Sequence, residues 1–194
     1  MRCFVAVDVP PDVRTRVAAL TARVRGAAPR ADVRWSNAES LHVTLKFLGE
    51  VPDVRVPLVE GALATVAAAH SPLTLVAAGA GGFPNPARPR VVYVGILGQV
   101  EALTRLAVAV DGALEALGFP GERRAFRGHL TVGRVRTPRG AEGLAAALRA
   151  EEGVAAGTWT AGELVLYHSR LRPSGAVHEA VARLPLAGRG PGDP

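Results

Sequence analysis

The chain has 194 residues, 48% hydrophobic and 21% charged, with a formal net charge of +6 and one cysteine. This is the composition of a globular chain long enough for one well-buried domain, and it excludes a disordered polypeptide, an intrachain disulfide and a cysteine-built metal cage. Apolar runs such as Val91–Leu97 fall far short of the ~20 residues that span a bilayer, so no membrane partner is expected.

Met1-Arg2-Cys3-Phe4-Val5 starts like a strand, without the apolar core and small-residue cleavage site of a signal peptide. A lone cysteine makes the reducing cytoplasm the expected compartment. Of the 23 basic residues all but Lys46 are arginine. The positive excess would draw in a polyanion or phosphate ester by long-range attraction, without identifying it.

In chain order, Cys3–Val9 reads as a first strand. Pro10-Pro11-Asp12 opens a helix of about 15 residues with Val13, Val17, Leu20 and Val24 on its buried face, ending between Gly26 and Pro29. Val33–Trp35 is a short extended piece, with Trp35 assigned to the core or a lobe interface, and Ser36-Asn37 turns the chain into a strand over Leu41–Leu48. After a turn at Gly49–Pro52, the spacing predicts a helix over Val54–Ala69 with Leu58, Ala62, Leu63 and Val66 inward. His70 is read as a solvated or capping residue at its end.

Leu73–Ala78 is a strand, Gly79–Pro89 an irregular loop carrying Phe83, and Arg90–Leu97 a strand containing Tyr93. A helix over Val100–Leu117 buries Leu103, Leu106, Val110, Leu114 and Leu117. A strand over His129–Val135 follows, then an alanine-rich helix at about Arg139–Glu151. Thr158–Leu171 reads as one long strand and Ala176–Leu186 as a last one paired back on it. Gly188–Pro194 has nothing to bury and is read as a flexible tail.

The chemistry concentrates in two of these strands. In Leu41-His42-Val43-Thr44-Leu45-Lys46-Phe47, side chains two apart share a face roughly 6.5–7 Å from one another. That puts His42, Thr44 and Lys46 on one face and Leu41, Val43, Leu45 and Phe47 on the other. His129-Leu130-Thr131-Val132 repeats the pattern, in a chain with only five histidines. Two histidines facing one cleft can divide general acid and general base between them, because imidazole titrates near neutral pH.

Each half thus supplies strands, helices and one His-x-Thr strand. The expected fold is α+β: two pseudo-symmetric lobes of mainly antiparallel sheet, helices outside, facing across a central cleft. Residues 1–187 form a single bilobal domain and 188–194 the tail.

The run Ser40-Leu41-His42-Val43-Thr44-Leu45-Lys46-Phe47-Leu48-Gly49, followed by Phe126-Arg127-Gly128-His129-Leu130-Thr131, resembles the two-histidine (2H) phosphoesterases. It is most similar to the bacterial and archaeal RNA 2′,3′-cyclic phosphodiesterases, long called 2′-5′ RNA ligases. The likeness extends to Phe4-Val5-Ala6-Val7, Phe83-Pro84-x-Pro86 and Glu163-Leu164-Val165-Leu166.

The resemblance implies metal-independent opening of a 2′,3′-cyclic phosphate to a 2′-phosphomonoester, with no cofactor. It makes His42 the proton donor, His129 the proton acceptor, and Thr44 and Thr131 the ligands of the phosphate oxygens. The implied partner is an RNA with a cyclic phosphate end, tRNA-like, or a small nucleotide; the protein is expected as a monomer. Two departures stand out: Gly128 where relatives commonly have proline, and Val132-Gly133 in place of Leu-Ala.

Further residues enter on parity alone. Lys46 could reach a phosphate from the face of Thr44, and Arg127 from the face of His129, where a surface ion pair is the alternative. Arg134 has the opposite parity and is structural unless a bulge intervenes. Tyr93 and Phe83 are read as core, with base stacking as the other option. His168 and His178 lie outside any motif and are left out of the site. Alternatives to RNA-end hydrolysis are a small cyclic phosphate as substrate, reversible 2′-5′ ligation, and non-catalytic binding of RNA ends.

Overall fold

A computed structural model of the chain describes residues 1–172 and 175–188. Its strands are β1 (Arg2–Asp8), β2 (Val33–Trp35), β3 (His42–Glu50), β4 (Leu73–Phe83), β5 (Val91–Gly98), β6 (His129–Val135), β7 (Ala155–Ala161), β8 (Glu163–Arg172) and β9 (Gly175–Pro185). Its helices are α1 (Pro11–Ala27), α2 (Val56–Ala68), α3 (Val100–Glu115) and α4 (Ala141–Ala150).

Strand β1 shows how the layers arise. Cys3, Val5 and Val7 enter the main core while Phe4 and Ala6 join a smaller cluster with Val165 and Tyr167. A strand buried on both faces belongs in the middle of a sheet, and β1 lies between β3 and β8. The sheet runs β7-β4-β5-β6-β3-β1-β8-β9, every pairing antiparallel, with β2 added to β6. The two predicted lobes are therefore four-stranded halves of one continuous sheet. They meet where β3 touches β6, at the single pair Val43–Leu130. β2 and β3 lie end to end along the same edge of β6, β2 facing residues 133–135.

The helices cover the face opposite the cleft and exchange sides. α1 follows β1 yet packs against α4, β7 and β4 of the other half; α3 follows β5 yet packs against α2 and β3. The inward face of α1 is Val13, Val17, Leu20 and Val24, as its spacing predicts.

Four expectations change. α2 begins at Val56, behind a 3-10 turn over Asp53–Arg55; Val56, Val59, Leu63 and Val66 point inward and Leu58 is exposed. Gly79 does not end β4. It sits at φ 71°, its N–H donates to the Val154 carbonyl, and a Cβ there would lie 2.3 Å from the Glu152 oxygen. It is a bulge, after which pairing with β5 resumes at Ala80–Val94 and runs to Phe83. The predicted long strand over Thr158–Leu171 is two strands divided at Gly162, β7 joining β4 and β8 joining β1. Finally, Ala187 and Gly188 donate to the carbonyls of Ala67 and His70 at the end of α2. The rest of the expected tail, 189–194, lies outside the described residues. Among those residues no helix is long and apolar enough to cross a membrane.

Gly133, one of the two departures from the family pattern, has a steric reason. A Cβ at this position would come within 2.7 Å of Val33 Cγ1 and 3.1 Å of the Trp35 ring, so its absence lets β2 lay those side chains across β6. Overpacking of this kind costs about 1–3 kcal/mol. Gly133→Ala is therefore expected to lower stability by that amount in urea denaturation, with an unchanged slope.

Candidate active site

The Val43–Leu130 pair fixes the register of the site. Continued one residue either way in an antiparallel ladder, it sets His42 across from Thr131 and Thr44 across from His129. Directly opposed residues lie ~4.5–5.5 Å apart and diagonal ones ~7–8 Å. Both histidines and both threonines thus gather on one patch of the cleft face. All four are half-buried, and neither threonine hydroxyl has a hydrogen-bond partner among the described residues.

Each imidazole is held in the same way. His42 Nδ1 lies 2.8 Å from the Ser40 carbonyl and His129 Nδ1 lies 2.7 Å from the Arg127 carbonyl. A carbonyl only accepts, so Nδ1 carries the proton and Nε2, on the far side of the ring, is left for the cleft. Aromatic rings complete the mounting. Phe4 stacks on His42 at 4.6 Å with Tyr167 behind it. Phe83 and Tyr93 stack on each other at 4.3 Å, Phe83 edge-on to His129 at 5.0 Å and Tyr93 at 5.7 Å. Gly81 admits this arrangement, since its Cβ would fall 2.5 Å from the Tyr93 ring.

Burial pushes both imidazoles down, His42 to about 4; the Ser40 carbonyl and Asp8 oppose the shift, and the nearby His178 and Arg14 add to it. His129 moves the same way, chiefly by burial, with Arg134 and Arg127 contributing after the opposing Arg127 carbonyl. Both shifts favour the neutral imidazole at pH 7.

Beyond each threonine the strand carries one extra residue. In β3 the pairing with β1 passes from Ala6–Thr44 to Val5–Lys46, leaving Leu45 unpaired. In β6 the pairing with β5 passes from Tyr93–Thr131 to Val92–Gly133, leaving Val132 unpaired. A bulge reverses the parity of everything after it. Lys46 accordingly does not reach the cleft: it is 5% exposed, forms an ion pair with Asp111 of α3, and donates to the Pro120 carbonyl at 2.7 Å. Asp111 also accepts from the Glu122 N–H at 3.1 Å, so the pair pins the segment leading to His129. Phe47, assigned by parity to the apolar face, stands at the cleft instead, 68% exposed beside Phe4. Arg134 likewise turns onto the face of Thr131.

Arg127 is brought to the site, its guanidinium 5.4 Å from the centre of the Phe83 ring. His178, set aside on sequence, stands edge-on to His42 at 5.2 Å and to Phe4 at 4.9 Å. Its strand is two places from β1 in the sheet, a neighbourhood no local pattern encodes. His168 pairs with Cys3 on the helix side and stays out. Gly128 has its own steric logic: a Cβ would come 2.9 Å from Leu103 Cδ2.

Comparison with known proteins places this arrangement. The family model for LigT-like phosphoesterases matches residues 7–93 and 95–178. The RNA 2′,3′-cyclic phosphodiesterase of Archaeoglobus fulgidus is 41% identical over 70% of this chain and 73% of its own. That of Methanothermobacter thermautotrophicus is 33% identical over 92% and 95%. Among solved structures, a Thermus thermophilus protein superposes with a TM-score of 0.75 at 27% identity, covering 98% of this chain and 100% of its own. Escherichia coli LigT complexed with 3′-AMP gives 0.70 at 26% identity, covering 95% and 97%.

Two expectations follow from the geometry. The unfolded chain protonates His42 near pH 6.5 whereas the folded chain does so near 4, so stability is full above that window and falls as pH drops through it. His42 alone should cost about 2 kcal/mol between pH 7 and pH 5, with His129 and His178 acting in the same sense. Urea denaturation at the two pH values measures the slope, and His42→Ala should flatten it. Lys46→Met, which leaves Asp111 and the Pro120 carbonyl without their cation, is expected to destabilise by about 2–4 kcal/mol. Its thermal midpoint should fall accordingly.

Proposed function

This chain belongs to the LigT-like phosphoesterase family, and from that premise we propose that it hydrolyses 2′,3′-cyclic phosphate ends of RNA to 2′-phosphomonoesters. The observation that carries the reading is the crossed pairing of two His-x-Thr segments, each histidine anchored through Nδ1 and facing the other strand's threonine. In-line displacement at phosphorus needs a base on one side, an acid on the other, and donors for the equatorial oxygens as charge spreads over them. Nε2 of His129 takes the proton of the attacking water. Nε2 of His42 returns one to the departing 3′ oxygen, and the hydroxyls of Thr44 and Thr131 donate to the phosphate.

Burial is what holds the proton affinity of His42 down. A cyclic phosphodiester brings one negative charge between the two rings, and a nearby anion favours the imidazolium. Substrate binding thereby raises the proton affinity of both rings; the reaction needs one imidazolium and one neutral imidazole, and this reading takes His42 as the first and His129 as the second. Phe47 offers a free aromatic face next to Thr44 on which a base can stack. Arg127 lends positive charge at the same end of β6. The same reading takes the protein to be a cytoplasmic monomer.

The first test is turnover of a nucleoside 2′,3′-cyclic phosphate in EDTA, followed by phosphorus NMR. A 2′-phosphate is expected, and a 3′-phosphate would reverse the sense in which the substrate is held. His42→Ala and His129→Ala should each lose ~10²–10⁴-fold in kcat with the fold retained. A variant with parental turnover would remove its histidine from the mechanism.

A further inference from the structure

Three of the five histidines meet in the cleft, and the proposed chemistry uses two of them. His178 is the third. Tyr167 shares the cleft-side cluster with Phe4 and Ala6, Ser169 lies two residues further along β8, and His178 is directly opposite Ser169. Its side chain therefore rises on the cleft face. Neighbouring strands lie ~4.8 Å apart, which puts β9 ~14 Å from β3 along the sheet. The imidazoles of His178 and His42 are nonetheless 5.2 Å apart. This half of the sheet curls over Phe4, and β9 stands as a wall beside His42.

The two neighbouring imidazoles are mounted differently. Nδ1 of His42 has the Ser40 carbonyl as its acceptor, so a second proton on that ring leaves no N–H stranded. Nδ1 of His178 is closed to solvent and has no partner among the described residues. Charging this ring would strand a buried N–H, and burial disfavours the imidazolium in the same sense. His178 is thus held neutral. A buried donor without an acceptor is avoided more strictly than a bare acceptor, so the one proton sits on Nε2, the nitrogen open to a ligand. The other polar tip in this wall, the Tyr167 hydroxyl, is committed to Asp8.

In-line displacement sets the departing 3′ oxygen on the far side of phosphorus from the attacking water. With the water at His129 of β6 and the oxygen at His42 of β3, the sugar that carries the oxygen lies beyond His42, against β9. Its remaining oxygens are uncharged, and an uncharged donor suits them.

We propose that His178 binds the ribose of the cyclic end, its Nε2–H donating to a sugar oxygen, so that the acid's side of the cleft selects a nucleoside over other cyclic phosphates. This rests on the cyclic-phosphate reading above and names the part of the substrate recognised there.

The experiment follows the parent, His178→Phe and His178→Gln on a nucleoside 2′,3′-cyclic phosphate and on glycerol 1,2-cyclic phosphate, which has the reacting ring without the furanose. Where turnover of the glycerol ester is too slow, its competitive inhibition constant takes the place of KM. His178→Phe keeps a ring against Phe4 and His42 and removes the unpartnered Nδ1, so its thermal midpoint should lie at or above the parent's. Any disturbance it causes at His42 acts on both substrates and cancels in their ratio. The nucleoside-to-glycerol ratio of kcat/KM should fall roughly 3- to 12-fold, the worth of one neutral hydrogen bond, chiefly through KM on the nucleoside. His178→Gln, whose amide N–H reaches the place of Nε2, should recover most of it. An unchanged ratio, or a His178→Gln no better than His178→Phe, would overturn the assignment while leaving hydrolysis of the cyclic end intact. A parent inactive on both substrates would overturn the hydrolase reading, and this one with it.

Discussion

Val43 and Leu130, both fully buried, form the one backbone pair through which the two halves of the sheet touch. Everything in the cleft depends on it. The pair fixes the register between the two motifs, and because side chains alternate strictly along a strand, a slip of one residue would carry one motif's histidine and threonine into the core. It is also the whole extent of backbone pairing between β3 and β6. Past it β6 pairs instead with β2, leaving the two four-stranded halves joined along a narrow seam. A short seam permits curvature that a long ladder resists, and the concave face is where the histidines stand.

The bulges work on a finer scale. Each strand takes an extra residue just after the threonine, and β3 a second at Leu48, so the backbone repeats between the halves through the motif while the side chains beyond it diverge. At the first position past the bulge, one half turns Lys46 into the core and the other has Gly133. At the next, one half presents Phe47 to the cleft and the other Arg134. A near-symmetric frame thereby presents an asymmetric cleft face, with an aromatic past one threonine and an arginine past the other. A nucleotide is asymmetric in the same way, with a flat base and a charged backbone.

How far the sequence reveals this depends on which physical rule governs each residue. The paired His-x-Thr strands, the inward face of α1 and most elements are legible because local periodicity decides them. Lys46, Phe47 and Arg134 are placed by counting parity from the histidines, and parity holds only while the ladder is regular. The residues that break it, Leu45 and Val132, are ordinary strand residues with no local mark. Gly79 shows the converse: a glycine that reads as the end of a strand is a bulge within one, set by the close approach of the Glu152 carbonyl. Gly162 divides two strands that read as one, although the residues facing the main core pass from Trp159 and Ala161 to Leu164 and Leu166, a change of phase across the glycine. His178 comes to His42 only through the sheet order β1-β8-β9, which is a property of the assembled fold.

The burial of Lys46 has a chemical consequence for the outside of the molecule. It is the chain's single lysine, and its ammonium is closed in by Asp111 and the Pro120 carbonyl. Every cationic side chain at the surface that stays charged above neutral pH is therefore a guanidinium, which holds its proton to pH ~12 and beyond. The molecule's attraction for polyanions does not titrate away through the alkaline range as a lysine-rich surface's would. Acylating reagents and acetyl-transferring enzymes meet no side-chain amine on it to neutralise.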